Sequence, residues 1–234
     1  MSIDAPAPHA LVVGVGPGLG SSLARTFAAA GYDLTLVARS ADAIAPVAAQ
    51  ARAKGRTVHE VLLDISDLDA LAQAVRSAGQ WRPISLLHHN ASMHAGGLLD
   101  ADSSTLRTSV EVNALAAVVA VQAALPGLVA TRGLVTWTGA GAALNPHAEY
   151  GVLSLGKAAL RAAGLALAQE LTPLGVRLRM LTIRGNIQRG GPLDPDRIAE
   201  AFWAFAQEAT ADVERLHDGR STGPAPESAA AVAG

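Results

Sequence analysis

The seven residues Gly14-Val15-Gly16-Pro17-Gly18-Leu19-Gly20 restrict what this chain can fold into more than any other stretch. They close an apolar, β-branched run at 10–15 and lead into an amphipathic stretch at 21–30, so the local order is strand, turn, helix. Glycine at Gly14, Gly16, Gly18 and Gly20 removes the side chains that would keep backbone N–H groups away from an anion, and the N-terminus of the following helix favours negative charge. With Pro17 and Leu19 completing it, this is the form of a phosphate-binding turn in a dinucleotide-binding βαβ unit. A plain glycine-rich connection is the competing reading, and the position of the turn at the first strand-to-helix junction argues against it.

The rest of the chain repeats the same alternation. Apolar strand-like runs fall at 32–38, 58–64, 84–89, 133–138, 176–183 and 213–216. Between them lie helical stretches at 41–54, 68–78, 104–125 and 150–171, and Asp194-Pro195 caps a last helix running to about residue 208. Strands alternating with helices predict a parallel sheet covered on both faces, an α/β Rossmann-type doubly wound fold in one domain. The expected organisation is a short extension at 1–9, the domain at 10–219, and a disordered tail at 220–234 rich in Ala, Gly, Pro and Ser. A chain of 234 residues with 50% hydrophobic content supports one sizeable core, built from Ala, Val, Leu and Ile because aromatics make up only 3%.

Several classes are disfavoured by composition. A formal charge of -2 without long runs of one sign gives no footprint for nucleic acid or an anionic membrane. The chain has no cysteine, which removes disulfides, thiolate nucleophiles and cysteine-bound metals. No secretory signal and no apolar run of spanning length is read, and a cytoplasmic setting is expected. His88, His89 and His94 lack a carboxylate cluster, and the adjacent pair points to opposite faces of a strand, so no metal site is expected.

Cofactor type is read where the second strand ends, at Val37-Ala38-Arg39-Ser40. An acidic residue there would bind a ribose 2′-hydroxyl; Arg39 instead offers a guanidinium fork to a 2′-phosphate, with Ser40 as a second donor. NADP(H) is therefore preferred and NAD(H) remains possible, the competing reading being that Arg39 is a solvated strand-end charge. Asp64 and Ile65 end the third strand; the carboxylate either accepts from an adenine amino group or caps a helix. Asn90 and Ala91, after the fourth strand, bring small residues beside the cofactor.

Taken together these residues resemble the short-chain dehydrogenase/reductase family over roughly residues 11–219. The family's TGxxxGxG turn appears at Gly14, Gly18 and Gly20 with Val13 in place of its threonine, its NNAG segment appears as His89-Asn90-Ala91-Ser92, and its helix-four asparagine is matched at Asn113. The resemblance implies that Lys157 lowers the pKa of a catalytic tyrosine and binds the nicotinamide ribose, and that Asn113 serves a proton relay. It also places the tyrosine of the YxxxK motif at Leu153 and the active-site serine at Ala140, so two of the four catalytic groups are replaced. The proline-glycine turn of the family becomes Arg184-Gly185-Asn186-Ile187, where backbone near Ile187 would approach the nicotinamide amide, and the short connection 188–192 leaves little sequence for a substrate lid. Association of family members through their fourth and fifth helices implies a homodimer or homotetramer.

Three residues are candidates to supply the missing proton. Tyr150 lies seven positions before Lys157, about 10 Å away along a helix, which is too far unless the helix starts late. His94 and His147 lie on loops at the carboxyl edge of the sheet, where this fold binds substrate. The first functional expectation is thus an NADP(H)-dependent oxidoreductase acting on a small molecule with a non-standard active site. A non-catalytic NADP(H)-binding sensor or subunit, and a redox-neutral enzyme using the same crevice, are the alternatives.

Overall fold

The computed structural model describes residues 6–220 and 222–224. Seven strands run parallel, β1 (His9–Val13), β2 (Asp33–Ala38), β3 (Val58–Leu62), β4 (Ile84–His89), β5 (Leu134–Ala140), β6 (Arg177–Ile183) and β7 (Glu214–His217), in the order 3-2-1-4-5-6-7. An eighth, β8 (Thr222–Pro224), pairs antiparallel with β7. The helices are α1 (Leu19–Ala29), α2 (Ala41–Ala53), α3 (Leu68–Trp81), α4 (Ser103–Val110), α5 (Ala116–Thr131), α6 (Gly151–Leu171) and α7 (Pro195–Gln207). This is the α/β doubly wound architecture expected from the alternating pattern.

Strand side chains alternate between two apolar layers, as the period of two demands. Ala10, Val12, Leu34, Leu36, Leu181 and Ile183 face Leu23, Phe27, Ile44, Phe202 and Phe205, on the side covered by α1, α2 and α7. Leu11, Val13, Leu87, Val135, Trp137 and Met180 face Leu71, Ala117, Val121 and Leu160, on the side covered by α3, α5 and α6. The few aromatic rings are concentrated on the first side, where Phe27 lies near His88, Tyr32 and Trp203.

The sequence expectations need correction at several ends. β1 begins at His9 rather than residue 10, because the imidazole is fully buried between the Arg82 carbonyl and the Thr35 hydroxyl. The helix expected at 104–125 is interrupted by a π-turn, Glu111–Leu115, and then continues past Pro126 to Thr131. Proline removes one backbone donor there, but Ala117, Ala120, Val121, Ala124 and Leu128 remain buried against the sheet, and that packing carries the helix on. The tail expected from residue 220 includes β8, whose ladder with β7 offsets its turn-rich composition; residues 221 and 225–234 of that expectation, and 1–5 of the N-terminal one, lie outside the described residues. Two stretches, Ser103–Thr131 and Ala148–Leu174, are apolar and long enough to cross a membrane by length and composition, with mean hydropathy 1.9 and 1.3, contrary to the expectation of none. Both lie between strands of the one sheet and pack their small residues against it.

Candidate functional site

The carboxyl ends of β1, β2, β4, β5 and β6 open onto two cavities separated by Asn90 and His94, which line both. The first, about 610 Å³, runs from the glycine turn at Gly14 and Gly16 past Arg39, Asp64, Ile65, Ala91 and Val112. The second, about 870 Å³, is lined by Gly18 and Leu19 at one end and by Thr138, Ala140, Asn145, His147, Tyr150, Leu153, Lys157, Arg184 and Ile187 beyond. The two form the divided crevice that a dinucleotide would cross at the switch point of this sheet.

The glycine turn is shaped for close approach on one side and an anion on the other. Gly14 has φ +89, and a Cβ on it would lie 2.5 Å from the backbone N of Ala91, so only glycine fits between β1 and the strand-four loop. A Cβ on Gly16 or Gly18 would meet nothing within 4 Å, so the turn faces open space at the uncapped N-terminus of α1. Leu19 begins that helix. Arg189, from the loop after β6, donates to the Pro17 carbonyl at 2.8 Å and adds a cation beside the turn. A diphosphate therefore fits the residues present.

Arg39 stands exposed at the end of β2 and lines the first cavity. Ser40 is the N-cap of α2, its oxygen accepting from the Asp42 N–H at 3.2 Å while its hydroxyl hydrogen is left to donate elsewhere. Asp64 accepts from the backbone N–H and the hydroxyl of Ser66 at 3.0 and 2.9 Å. Those two bonds, with the charge of Arg39 as a smaller cause, hold its carboxyl below the usual carboxylate range. The helix-capping role considered for Asp64 is taken by Asp67, which accepts from the Ala70 N–H. Ile65 is buried at the cavity wall.

A chain of polar groups fixes the crevice from inside the core. Asn90 donates to the Gly14 carbonyl at 3.1 Å and accepts from the Thr138 hydroxyl at 3.0 Å. With its hydrogen given to Asn90, Thr138 accepts from His88 Nε2–H at 3.3 Å, and His88 Nδ1 then accepts from Thr136 at 2.7 Å. The neighbouring His89 turns to the opposite layer and donates Nε2–H to the Val112 carbonyl. Burial pushes both imidazoles down to about 3, so each is neutral near pH 7.

Lys157 lies on the inward face of α6 and is 2% exposed. Its ammonium donates to the carbonyls of Ala91 and Thr138 at 3.2 and 3.1 Å, and burial lowers its pKa to about 8. One turn earlier Leu153 lines the same cavity, and Ala140 faces it from the end of β5. The positions at which a hydroxyl was expected from the resemblance are thus apolar and face the crevice.

The candidate proton donors are brought together. Helix α6 starts at Gly151, one residue later than expected, and Tyr150 ends a short 3₁₀ turn, Ala148–Tyr150, with φ -118 and ψ 25. Leaving the helical line puts Tyr150 on the cavity that holds Lys157, which a regular helix would have opposed. The His147 ring lies 6.3 Å from that of Tyr150, with Glu149 at 4.0 Å from its Nδ1. His94 is held below the ordinary imidazole range by burial and by the charge of Lys157.

Asn113 is not brought to the cavity. Its amide donates to the Ser109 and Met93 carbonyls at 3.0 and 3.3 Å and accepts from the Met93 N–H, which clips the strand-four loop to the π-turn. A Cβ on Gly156 would lie 2.7 Å from Asn113 Cβ, so α6 sits directly on this clip and Lys157 follows. Sequence reasoning missed Asn145, Thr138 and Arg189 as site residues. Thr138 was legible only as a strand residue, and the other two sit in loops without a local pattern.

The family model for short chain dehydrogenases matches residues 8–185. The chain belongs to the short-chain dehydrogenase family. Its relatives include a serine 3-dehydrogenase of Agrobacterium fabrum, 30% identical over 172 residues that cover 72% of this chain and 68% of that protein. A 3-dehydrosphinganine reductase of Arabidopsis thaliana is 26% identical over 74% of this chain, which spans only 53% of that longer protein. Among solved structures of the fold, a short chain dehydrogenase of Burkholderia cenocepacia in complex with NADP superposes with a TM-score of 0.81 at 24% identity, covering 91% of this chain and 96% of that one. A metagenomic short-chain oxidoreductase, also in complex with NADP, gives 0.79 at 24% identity, covering 90% and 96%.

Proposed function

We propose that this short-chain dehydrogenase is an NADP(H)-dependent oxidoreductase that interconverts a small carbonyl compound and its alcohol without the family's tyrosine and serine. The observation that carries the reading is the Lys157 ammonium, held by two backbone carbonyls beside a cavity continuous with an open, uncapped phosphate turn. Arg39 at the end of β2 supports a 2′-phosphate, and the two NADP complexes of the same fold agree with that choice. NADPH supplies the hydride when bound.

The residues of the chain supply position and charge. Gly16, Gly18 and the N-terminus of α1 hold the diphosphate, Asn90 and Ala91 line the middle of the path, and Ile187 borders the nicotinamide end. Lys157 keeps positive charge beside the oxygen that becomes negative during reduction. Leu153 gives that oxygen no proton, so the proton comes from the rim, where Tyr150 and His147 stand. His94, neutral near pH 7, suits proton acceptance in the oxidative direction. Asn145 offers an amide donor to the same oxygen.

The test is a pair of measurements on one preparation. NADPH should raise the melting temperature, and a panel of ketones and aldehydes should show substrate-dependent loss of reduced-nicotinamide absorbance. Stabilisation without turnover across the panel would favour the second reading, a non-catalytic NADP(H)-binding subunit, which Leu153 and Ala140 motivate. Exposed Leu115, Val129 and Leu155 on the helical layer support a homodimer or homotetramer through α5 and α6. A monomer in sedimentation would overturn that assembly.

A further inference from the structure

We infer that the crevice takes an anionic carbonyl substrate, one carrying a carboxylate or a phosphate, and that Arg184 is the residue that holds the anion. The inference rests on the oxidoreductase reading for the carbonyl and on the crevice itself for the charge. Arg184 follows β6 directly, at the position where the family turn has proline, and its side chain lines the cavity that contains Lys157. Its backbone is fixed, because its N–H donates to the His217 carbonyl at 2.9 Å and its Cγ packs 3.3 Å from where a Cβ on Gly141 would lie. Its guanidinium, in contrast, has no hydrogen bond or ion pair among the described residues.

Apart from Arg39, which lines the other cavity at the end of β2, the guanidinium groups packed around the β6 end of the crevice are engaged. Arg161 pairs with Glu214, Arg215 with Glu208, Arg25 with Asp196, and Arg189 donates to Pro17. The crevice offers Arg184 no counter-charge either. Its lining includes Lys157 and Arg184 with His94 and His147, and no aspartate or glutamate. Glu149 borders the neighbouring apolar groove instead. A cavity whose fixed charges are all positive concentrates anions, and a planar guanidinium binds carboxylate or phosphate through two parallel N–H bonds.

Cofactor phosphates are a poor match for Arg184. The phosphate turn leaves β1, and β6 lies three strands away in the sheet, about 14 Å at the usual strand spacing. Arg189 already covers the turn from the same loop. Arg184 stands on the far side, over the end of β5 where Ala140 and Gly141 face the cavity, which is where a substrate lies relative to Lys157.

The experiment is calorimetric titration of the protein, free and loaded with NADPH, using four probes that carry no ketone or aldehyde to reduce: propionate against propionamide, and glycerol 3-phosphate against glycerol. At least one anion should bind at least ~10-fold tighter than its uncharged partner; which of the two does so tells carboxylate from phosphate. Arg184→Gln should remove that preference, Arg184→Lys should keep part of it, and NADPH affinity should stay unchanged in both. Equal binding of anion and neutral probe, or a preference that survives Arg184→Gln, overturns the inference. Loss of NADPH affinity in Arg184→Gln reassigns the residue to the cofactor and also overturns it. If NADPH fails to bind the wild-type chain, the oxidoreductase reading falls by itself, and the anion comparison on the free protein still decides the role of Arg184.

Discussion

Lowering the pH from about 7 to about 5 should destabilise this domain through histidines that it buries uncharged. His88 and His89 titrate near 3 in the folded state, held down chiefly by burial, while an unfolded histidine titrates near 6.5. The unfolded chain therefore binds more protons between those values, and stability present above about pH 6.5 is lost as the pH falls. At pH 5 each of the two imidazoles contributes about 2 kcal/mol to unfolding, about 4 kcal/mol for the pair. His9, lowered to about 4 by burial, adds a further contribution of about 2 kcal/mol. Against a total stability of about 5–15 kcal/mol this is a large fraction. Urea unfolding followed by circular dichroism at several pH values reads it directly as a slope approaching two to three protons per molecule. His89→Gln keeps a donor for the Val112 carbonyl and should flatten the slope by about one proton. A stability that does not change between pH 7 and pH 5 would refute the reasoning, because it would mean that the buried rings accept protons in place.

Other perturbations act on the crevice. Gly14→Ala places a methyl against the Ala91 backbone at φ +89 and should lower stability by at least about 1–3 kcal/mol in denaturant titration, with loss of NADPH binding. Arg39→Ala should weaken NADPH by about 10-fold or more and leave NADH nearly unchanged, measured by fluorescence titration of both cofactors. Leu153→Tyr restores a hydroxyl one helical turn from Lys157 and should raise turnover by about 10²-fold or more where proton donation limits the rate; an unchanged rate would place the limit elsewhere. Because Lys157 is an ammonium below about pH 8 and neutral above it, kcat/KM for carbonyl reduction should fall as pH rises through that value, and a Lys157→Met variant should lose that limb.

The order of strands and helices was legible because apolar runs of strand length alternate with amphipathic stretches and because the glycine turn marks the first junction. The places where the reading failed share a cause: local propensity was overruled by contacts made far away in sequence. Nothing in Glu111-Val112-Asn113 announces a π-turn, which depends on Met93 and on the close approach of Gly156. Pro126 marked a helix end that buried alanines and Leu128 override. At the site, Gly14, Arg39 and Lys157 stood out by type and spacing. Tyr150 stood out only on the condition of a late helix start, and the 3₁₀ turn that delays α6 is not written in the local sequence.

The hydrogen-bond series from His88 through Thr138 and Asn90 to Gly14 has only one sense of direction. The Gly14 carbonyl can only accept, so it takes the Asn90 amide N–H; Asn90 Oδ1 then takes the Thr138 hydrogen, and Thr138 is left to accept from His88 Nε2–H. The Asn90 carboxamide, which borders both cavities, is thereby held in one orientation, and the tautomer of an imidazole fully enclosed in the core is written by a main-chain carbonyl of the phosphate turn. A substitution at His88 leaves that orientation in place, whereas one at Asn90 unties the turn and the buried ring together. The turn thus dictates where protons sit one layer beneath the surface that a ligand meets.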